Sequence, residues 1–385
     1  MVYITVKQSP MYHQMTLDEF LSDSCGPAIA LNPNLTNTKT YEVERVSEHM
    51  ARKLRFNIPW LVDRLKQFNI STEPLREVPR HELYREFKIP KKSGGWRDIS
   101  APTQPLMDAL RSLKDIFEND FRALYHTSAF AYIRKRSTLD AMKRHQSNDS
   151  RWYAKYDLHN FFGSTTLEFI MKMFSMIYPF SEVVKTQEGY AELYKALDLA
   201  ILDGGLPQGT PISPMITNIM MIPVDYKLSN KLRSYERQNF VYTRYADDFQ
   251  ISSRYDFSYR EIEHVICEVL ASFDAPFTIN RQKTRYGSSA GRNFNLGLMV
   301  CNGTDGKIRI TVGRERKRVF SAKLTSFILD TRNGNPWDLH DIQILEGYRN
   351  YLHMIEPEAS DEIIRKLSKK YNVNVIRMIR SQLNT

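Results

Sequence analysis

The sequence predicts an α+β chain built around a mainly antiparallel sheet, and three observations carry that prediction. Segments in the middle of the chain run strand, helix, helix, hairpin, helix, strand, an order that suits antiparallel strands joined to helices. Two hairpin signals occur, one at Gly94-Gly95 and one where two short apolar strands meet at 246–248. After Arg314 the pattern is helical to the end.

The elements follow in chain order. Residues 1–40 read as irregular, with 27–39, rich in Asn, Thr and Pro, as loop. Residues 16–21 read as a capped helical turn, Thr16 serving as N-cap with Glu19 three residues on, or else as a short docking peptide. Helical spacing over 41–69 puts Val43, Val46, Met50 and Leu54 on one face, and a second helix spans 59–68, where Pro59 suits a first turn. Strand-like 82–90 leads into the Gly94-Gly95 hairpin, and 105–117 is an amphipathic helix. A strand over 152–158, a helix over 167–178 and a largely helical 211–232 precede the two short strands of 240–252. A helix over 259–273, a buried strand over 295–300, a polar turn at 302–306 and a strand over 307–312 complete the sheet.

Composition narrows what such a chain does. Of its 385 residues 42% are apolar and 25% charged, which excludes global disorder. The net charge is +10. Residues 281–385 hold 19 Lys and Arg against 10 Asp and Glu, so this segment carries +9 and the rest of the chain about +1. A nearly neutral body with a basic C-terminal segment points to a polyanion, nucleic acid first. Cys25, Cys267 and Cys301 form no CxxC pair and no disulfide framework, as expected in a reducing cytoplasm. The start, MVYITVKQSP, has no secretory pattern, and no apolar run reaches the roughly 18 residues of a membrane span. A cytoplasmic protein with no membrane partner is the expectation.

The residues with the sharpest chemistry are Asp247 and Asp248, flanked on both sides by apolar and aromatic residues. Adjacent carboxylates at a strand turn repel unless a cation lies between them, although Asp is also common in turns. A second acidic strand end is Asp157. Two such ends side by side would make a Mg²⁺ site, since hard divalent cations take oxygen ligands. Two such ions about 4 Å apart activate a 3′-hydroxyl and stabilise a pyrophosphate leaving group. Between the acidic ends lies 204–218, whose Gly204, Gly205, Pro207 and Gly209 make a loop that a base pair can approach closely.

Together these residues resemble the reverse transcriptase family. Asp157 with Phe161-Phe162 matches motif A, Leu206-Pro207-Gln208-Gly209 with Ser213-Pro214 matches motif B, and Tyr245-Ala246-Asp247-Asp248 matches motif C. Ile89-Pro90-Lys91-Lys92 with Gly94-Gly95-Trp96-Arg97 resembles the fingers segment, Asn280 with Lys283-Thr284 motif D, and Leu296-Gly297-Leu298 the primer grip. The run covers about residues 81–355. The resemblance implies a right-hand polymerase: an N-terminal helical extension (1–80), fingers (81–150), a ferredoxin-like palm (151–312, with a finger-type insertion at about 165–205) and a basic helical thumb (313–385). It implies that Asp157, Asp247 and Asp248, with Leu158 beside them, hold two Mg²⁺ ions, or Mn²⁺. Lys91, Lys92, Arg97, Phe162 and Gln208 would bind the dNTP, Phe162 excluding a ribose 2′-hydroxyl. Lys283 would donate a proton to pyrophosphate, and Leu296 and Gly297 would grip the primer. Arg314, Arg316, Lys317 and Arg318 would hold nucleic acid, with Lys366, Lys369, Lys370, Arg377 and Arg380 following on later helices. Tyr348 and Tyr351 read as core or as stacking residues.

Within the family, YTRYADD and LPQGTPISP look like the retron and defence-associated bacterial branch. The segment 140–145 resembles the retron Asn-Ala-and-His element with Asp140 in place of Asn, and 295–297 keeps only the Gly of the retron Val-Thr-Gly element. The implied function is RNA-directed DNA synthesis on a dedicated noncoding RNA, serving anti-phage defence. Partners would be the RNA, the DNA product and dNTPs, with an effector protein, a second polymerase or a second copy of the chain as further candidates. Two rivals remain open: a polymerase making repetitive or untemplated DNA, and an inactive RNA-binding scaffold.

Overall fold

The computed structural model describes residues 2–8, 11–16, 56–90, 94–290, 293–303 and 306–383. The chain opens with an antiparallel hairpin, β1 (Val2–Gln8) and β2 (Met11–Thr16), which corrects the expectation of an irregular start. Val2, Ile4 and Val6 alternate in the way a strand requires, and the Asn- and Pro-rich stretch farther on obscured that signal. Thr16 ends a strand and is no helix cap; 17–21 and the helix face at 43–54 lie outside the described residues.

Helix α1 (Ile58–Ser71) begins near the expected Pro59, with Asn57 Oδ1 accepting from the Trp60 N–H at 3.2 Å. After a short turn of helix, α2 (Glu73–Arg76), strands β3 (Tyr84–Pro90) and β4 (Trp96–Pro102) form the hairpin expected around Gly94-Gly95, in register from Tyr84 opposite Pro102 to Pro90 opposite Trp96. Helix α3 (Gln104–Asp115) buries Leu106, Ala109, Leu110 and Leu113. The short β5 (Tyr125–His126) pairs with β1. Helix α4 (Thr138–Ser147) starts at a capping box: Asp140 Oδ2 accepts from the Ser137 N–H at 2.9 Å, and Ser137 Oγ accepts from the Asp140 N–H at 3.2 Å. An aspartate at 140 is therefore a local helix start signal.

Strand β6 (Trp152–Asp157) is followed by α5 (Leu167–Phe174), which ends four residues before the expected 178, then α6 (Phe180–Val183) and α7 (Gln187–Asp198). The helical 211–232 is two helices, α8 (Ser213–Met220) and α9 (Ile222–Arg233). Strands β7 (Val241–Tyr245) and β8 (Asp248–Ser253) meet at 246–247 as expected, and α10 (Tyr259–Ala271) precedes β9 (Arg285–Ser288). These strands form a sheet in the order β7-β8-β6-β9.

Strands β10 (Asn293–Asn295), β11 (Leu298–Asn302) and β12 (Ile308–Thr311) make an antiparallel sheet, followed by α11 (Arg314–Arg332), α12 (Leu339–Ile355), α13 (Pro357–Tyr371) and α14 (Val375–Leu383). The buried strand expected over 295–300 is interrupted: Leu296 (φ 52) and Gly297 (φ 78) form a two-residue turn with Asn295 opposite Leu298. The apolar Leu296 disguised the turn.

The chain divides into two compact units. The first comprises 1–136, 155–251 and 258–285, the second 137–154, 252–257 and 286–385. In the first, Phe117, Phe121, Phe174 and Phe180 form a ring cluster, with Phe121 and Phe180 stacked at 4.6 Å. In the second, Leu298, Val300, Phe320, Leu324, Phe327 and Leu345 are buried in one core. No described helix is long and apolar enough to cross a membrane.

Candidate active site

Asp157 closes β6, Asp248 opens β8, and Asp247 lies in the turn between β7 and β8. Because β6 and β8 are neighbours in the sheet, the carboxylates converge: a ligand oxygen from each lies within 4.8 Å of the others, making this a group among the described residues able to hold a metal ion. Backbone bonds fix the convergence. The Leu158 N–H donates to the Asp247 carbonyl at 3.1 Å, and the Asn280 N–H donates to the Asp157 carbonyl at 2.7 Å.

Two lysines face the carboxylates. Lys155 Nζ is 2.8 Å from Asp248, and Lys283 Nζ donates to Asp157 Oδ1 at 2.7 Å. Burial pushes the Asp248 carboxyl up to about 6; Lys155 pulls it down and Asp247 pushes it up again. Burial and then Asp157 raise Asp247. The hydrogen bond to Asp157 raises Lys283. Asp248 Oδ1 is buried with no hydrogen-bond partner among the described residues. An unpaired buried carboxylate oxygen is costly, and a divalent cation is the partner that oxygen donors at this spacing suit.

The surrounding loops are packed backbone to backbone. The Phe162 carbonyl accepts from the Leu206 N–H at 3.0 Å, and the half-buried Phe162 ring meets Phe161 edge-on at 5.6 Å. A Cβ on Gly205 would lie 2.2 Å from the Gly163 carbonyl oxygen, so only glycine permits this approach. The Gln208 carbonyl accepts from the Ser100 N–H at 2.8 Å, joining the motif B loop to β4. Arg97 is exposed on β4, opposite Ile89. Lys91 and Lys92 lie outside the described residues.

Residues 89–307 match the family model described as reverse transcriptase (RNA-dependent DNA polymerase). The chain belongs to the reverse transcriptase family. It is 30% identical over 306 residues to the retron Ec83 reverse transcriptase of Escherichia coli, covering 77% of this chain and 89% of that protein. The retron Ec73 reverse transcriptase of Escherichia coli is 29% identical, with coverages of 74% and 86%. Among solved structures, telomerase from Candida albicans in complex with a fragment of telomeric RNA aligns at 13% identity and a TM-score of 0.41, over 76% of this chain and 58% of that one. The resemblance to retron enzymes drawn from the motifs is thus borne out. So is the α+β fold class, and the chain is an RNA-directed DNA polymerase that copies an RNA template into a DNA product with a divalent metal.

In the second unit of this reverse transcriptase, the Leu296-Gly297 turn is held by Arg316, whose Nη1 donates to the Gly297 carbonyl. Lys317 Nζ pairs with Glu356 at 2.8 Å. Arg314 and Arg318 are exposed. Tyr348 stacks on Phe320 at 5.7 Å and donates to the Arg316 carbonyl at 3.2 Å, a core role.

Three residues near the carboxylates escaped the sequence reading. Lys155 had a signal: it lies two residues before Asp157 on a strand and so shares its face. Tyr132, 60% exposed with φ 61, had none. Partial desolvation of its hydroxyl raises it, Asp247 and Tyr245 raise it further, and Arg97 opposes. The third is Arg244, fully buried on β7.

Proposed function

We propose that this chain copies a dedicated noncoding RNA into DNA by two-metal nucleotidyl transfer, as part of bacterial anti-phage defence. The observation that carries the chemistry is the three-aspartate group with its buried Asp248 Oδ1, which has no hydrogen-bond partner among the described residues. Asp157, Asp247 and Asp248 hold two Mg²⁺ ions, Mn²⁺ being able to replace them, and any part for Leu158 falls to its carbonyl oxygen. When bound, the ions favour the deprotonated primer 3′-hydroxyl and stabilise the pyrophosphate leaving group. Lys155 and Lys283 balance the carboxylates, and Lys283 supplies a proton to pyrophosphate. Arg97, with Lys91 and Lys92, pairs with the triphosphate, where a guanidinium offers bidentate geometry. Phe162 blocks a ribose 2′-hydroxyl, and Gln208 contacts the nucleotide or template.

The division into fingers (81–150), palm (151–312) and thumb (313–385) belongs to the same proposal, as does the N-terminal extension (1–80). Leu296 and Gly297 grip the primer. Arg314 and Arg318 contact nucleic-acid phosphates, while Arg316 and Lys317 support them through their contacts within the chain. A dedicated RNA, and a role beside an effector protein, a second polymerase or a second copy, belong to the same proposal. The test is purification from cells followed by sequencing of the copurifying RNA and DNA. DNA complementary to one bound RNA is expected; a product unrelated to any bound RNA would overturn templated synthesis.

A further inference from the structure

Residues distant in sequence meet around one buried guanidinium. Arg244 and Asp225 are both 0% exposed. Arg244 Nε donates to Asp225 Oδ1 at 2.8 Å and Nη2 donates to Oδ2 at 2.8 Å, a bidentate pair. The Tyr242 hydroxyl donates to the same Oδ1 at 2.6 Å. The remaining arm, Nη1, donates to the Ala246 carbonyl at 3.1 Å and to Asn218 Oδ1 at 3.2 Å. Asn218 Nδ2 in turn donates to the Ala131 carbonyl at 2.8 Å.

A buried ion pair is a poor source of stability, because desolvation offsets its attraction and an apolar replacement of similar volume is often neutral or better. The guanidinium does something here that an apolar side chain cannot. Ala246 has φ 58, a left-handed conformation unfavourable for a residue with a Cβ, and it immediately precedes Asp247. Arg244 holds the carbonyl of that strained residue while Asp225 and Tyr242 hold Arg244.

We propose that Arg244 is a positioning residue for the metal centre: through the Ala246 carbonyl it fixes the left-handed turn that sets Asp247 and Asp248 against Asp157. Asn218 extends the same restraint to Ala131, next to the exposed Tyr132. This inference rests on the metal-binding role proposed for the three aspartates, so its test measures metal binding directly and includes a variant that fails only if that role is wrong.

The experiment titrates the purified full-length chain with Mn²⁺, following free ion by electron paramagnetic resonance, alongside thermal melting. Arg244→Lys keeps the charge opposite Asp225 but lacks the fork that reaches Asp225 and Ala246 together. The apolar set Tyr242→Phe, Asp225→Leu and Arg244→Met removes the charges as a group. Each of these that melts within a few degrees of the natural protein should bind Mn²⁺ about tenfold more weakly, the scale for losing a group that orients a ligand. Unchanged Mn²⁺ affinity in a folded variant overturns the proposal. Failure of both variants to fold also overturns it, by assigning the cluster to stability alone. The double variant Asp247→Ala, Asp248→Ala separates the two ideas: if it binds Mn²⁺ as the natural protein does, the metal-site assignment is what fails.

Discussion

The aspartate centre and the basic C-terminal helices hold their charges in opposite ways. Asp157 is only 6% exposed, and Asp157 and Asp248 each face one lysine. On the C-terminal helices Arg314 and Arg318 are exposed, but Lys317 is bonded to Glu356, Arg349 to Glu346 and Lys366 to Glu362. The sum of +9 over 281–385 already cancels these pairs, so they decide which cations stand free and not how much net charge meets a polyanion. Buried charges shape chemistry and resist salt, whereas exposed ones attract phosphates and are screened within about 10 Å at 0.1 M salt. The same formal charge does different work according to its burial.

The largest effect should come from the aspartates. Asp247→Ala with Asp248→Ala should lower DNA synthesis on the order of 10³-fold or more, the scale of losing concentrated electrostatic stabilisation, in a primer-extension assay. Melting should be unchanged or higher, because burial already works against these charges. Next is Gly205→Ala, whose methyl group would have to displace the Gly163 backbone. A shift of about 1 Å near a reacting centre costs up to about 10²-fold, and single-turnover kinetics should show it in the chemical step.

The third contrast uses pH in place of salt. Burial, then Arg144, holds His145 down to about 3, and its Nδ1 lies 2.6 Å from Ser252 Oγ. The unfolded chain takes up the proton near 6.5 while the folded one does not. Stability is therefore full above that pH and falls as pH drops toward 3, by up to about 1.4 kcal/mol per pH unit. His145→Gln should flatten that slope in denaturant titrations at pH 7 and pH 5. The smallest effects belong to the exposed arginines. Arg314→Ala with Arg318→Ala should reduce the slope of log affinity against log salt by about 1.5 for two phosphate contacts. Lys317→Ala should instead cost about 1 kcal/mol of stability or less, with the salt slope unchanged.

Much of the site was legible because its signals are local. The strand, turn and strand around Asp247 lie within fourteen residues, and apolar flanks with paired acids mark them. Lys155 was legible in principle from strand periodicity. The Asp225, Asn218 and Arg244 cluster was not, since a buried pairing between a helix and a strand leaves no local spacing to read. The β1 and β2 hairpin was hidden by its surroundings, and the turn at Leu296 by an apolar residue in a left-handed position.

The most direct test of the metal centre is primer extension on a homopolymeric RNA template, with protein stripped by chelator and Mg²⁺ then restored in steps. No incorporation of dNTPs is expected without the ion, with full recovery as it is returned. Incorporation that persists in excess chelator would rule out a metal-dependent centre.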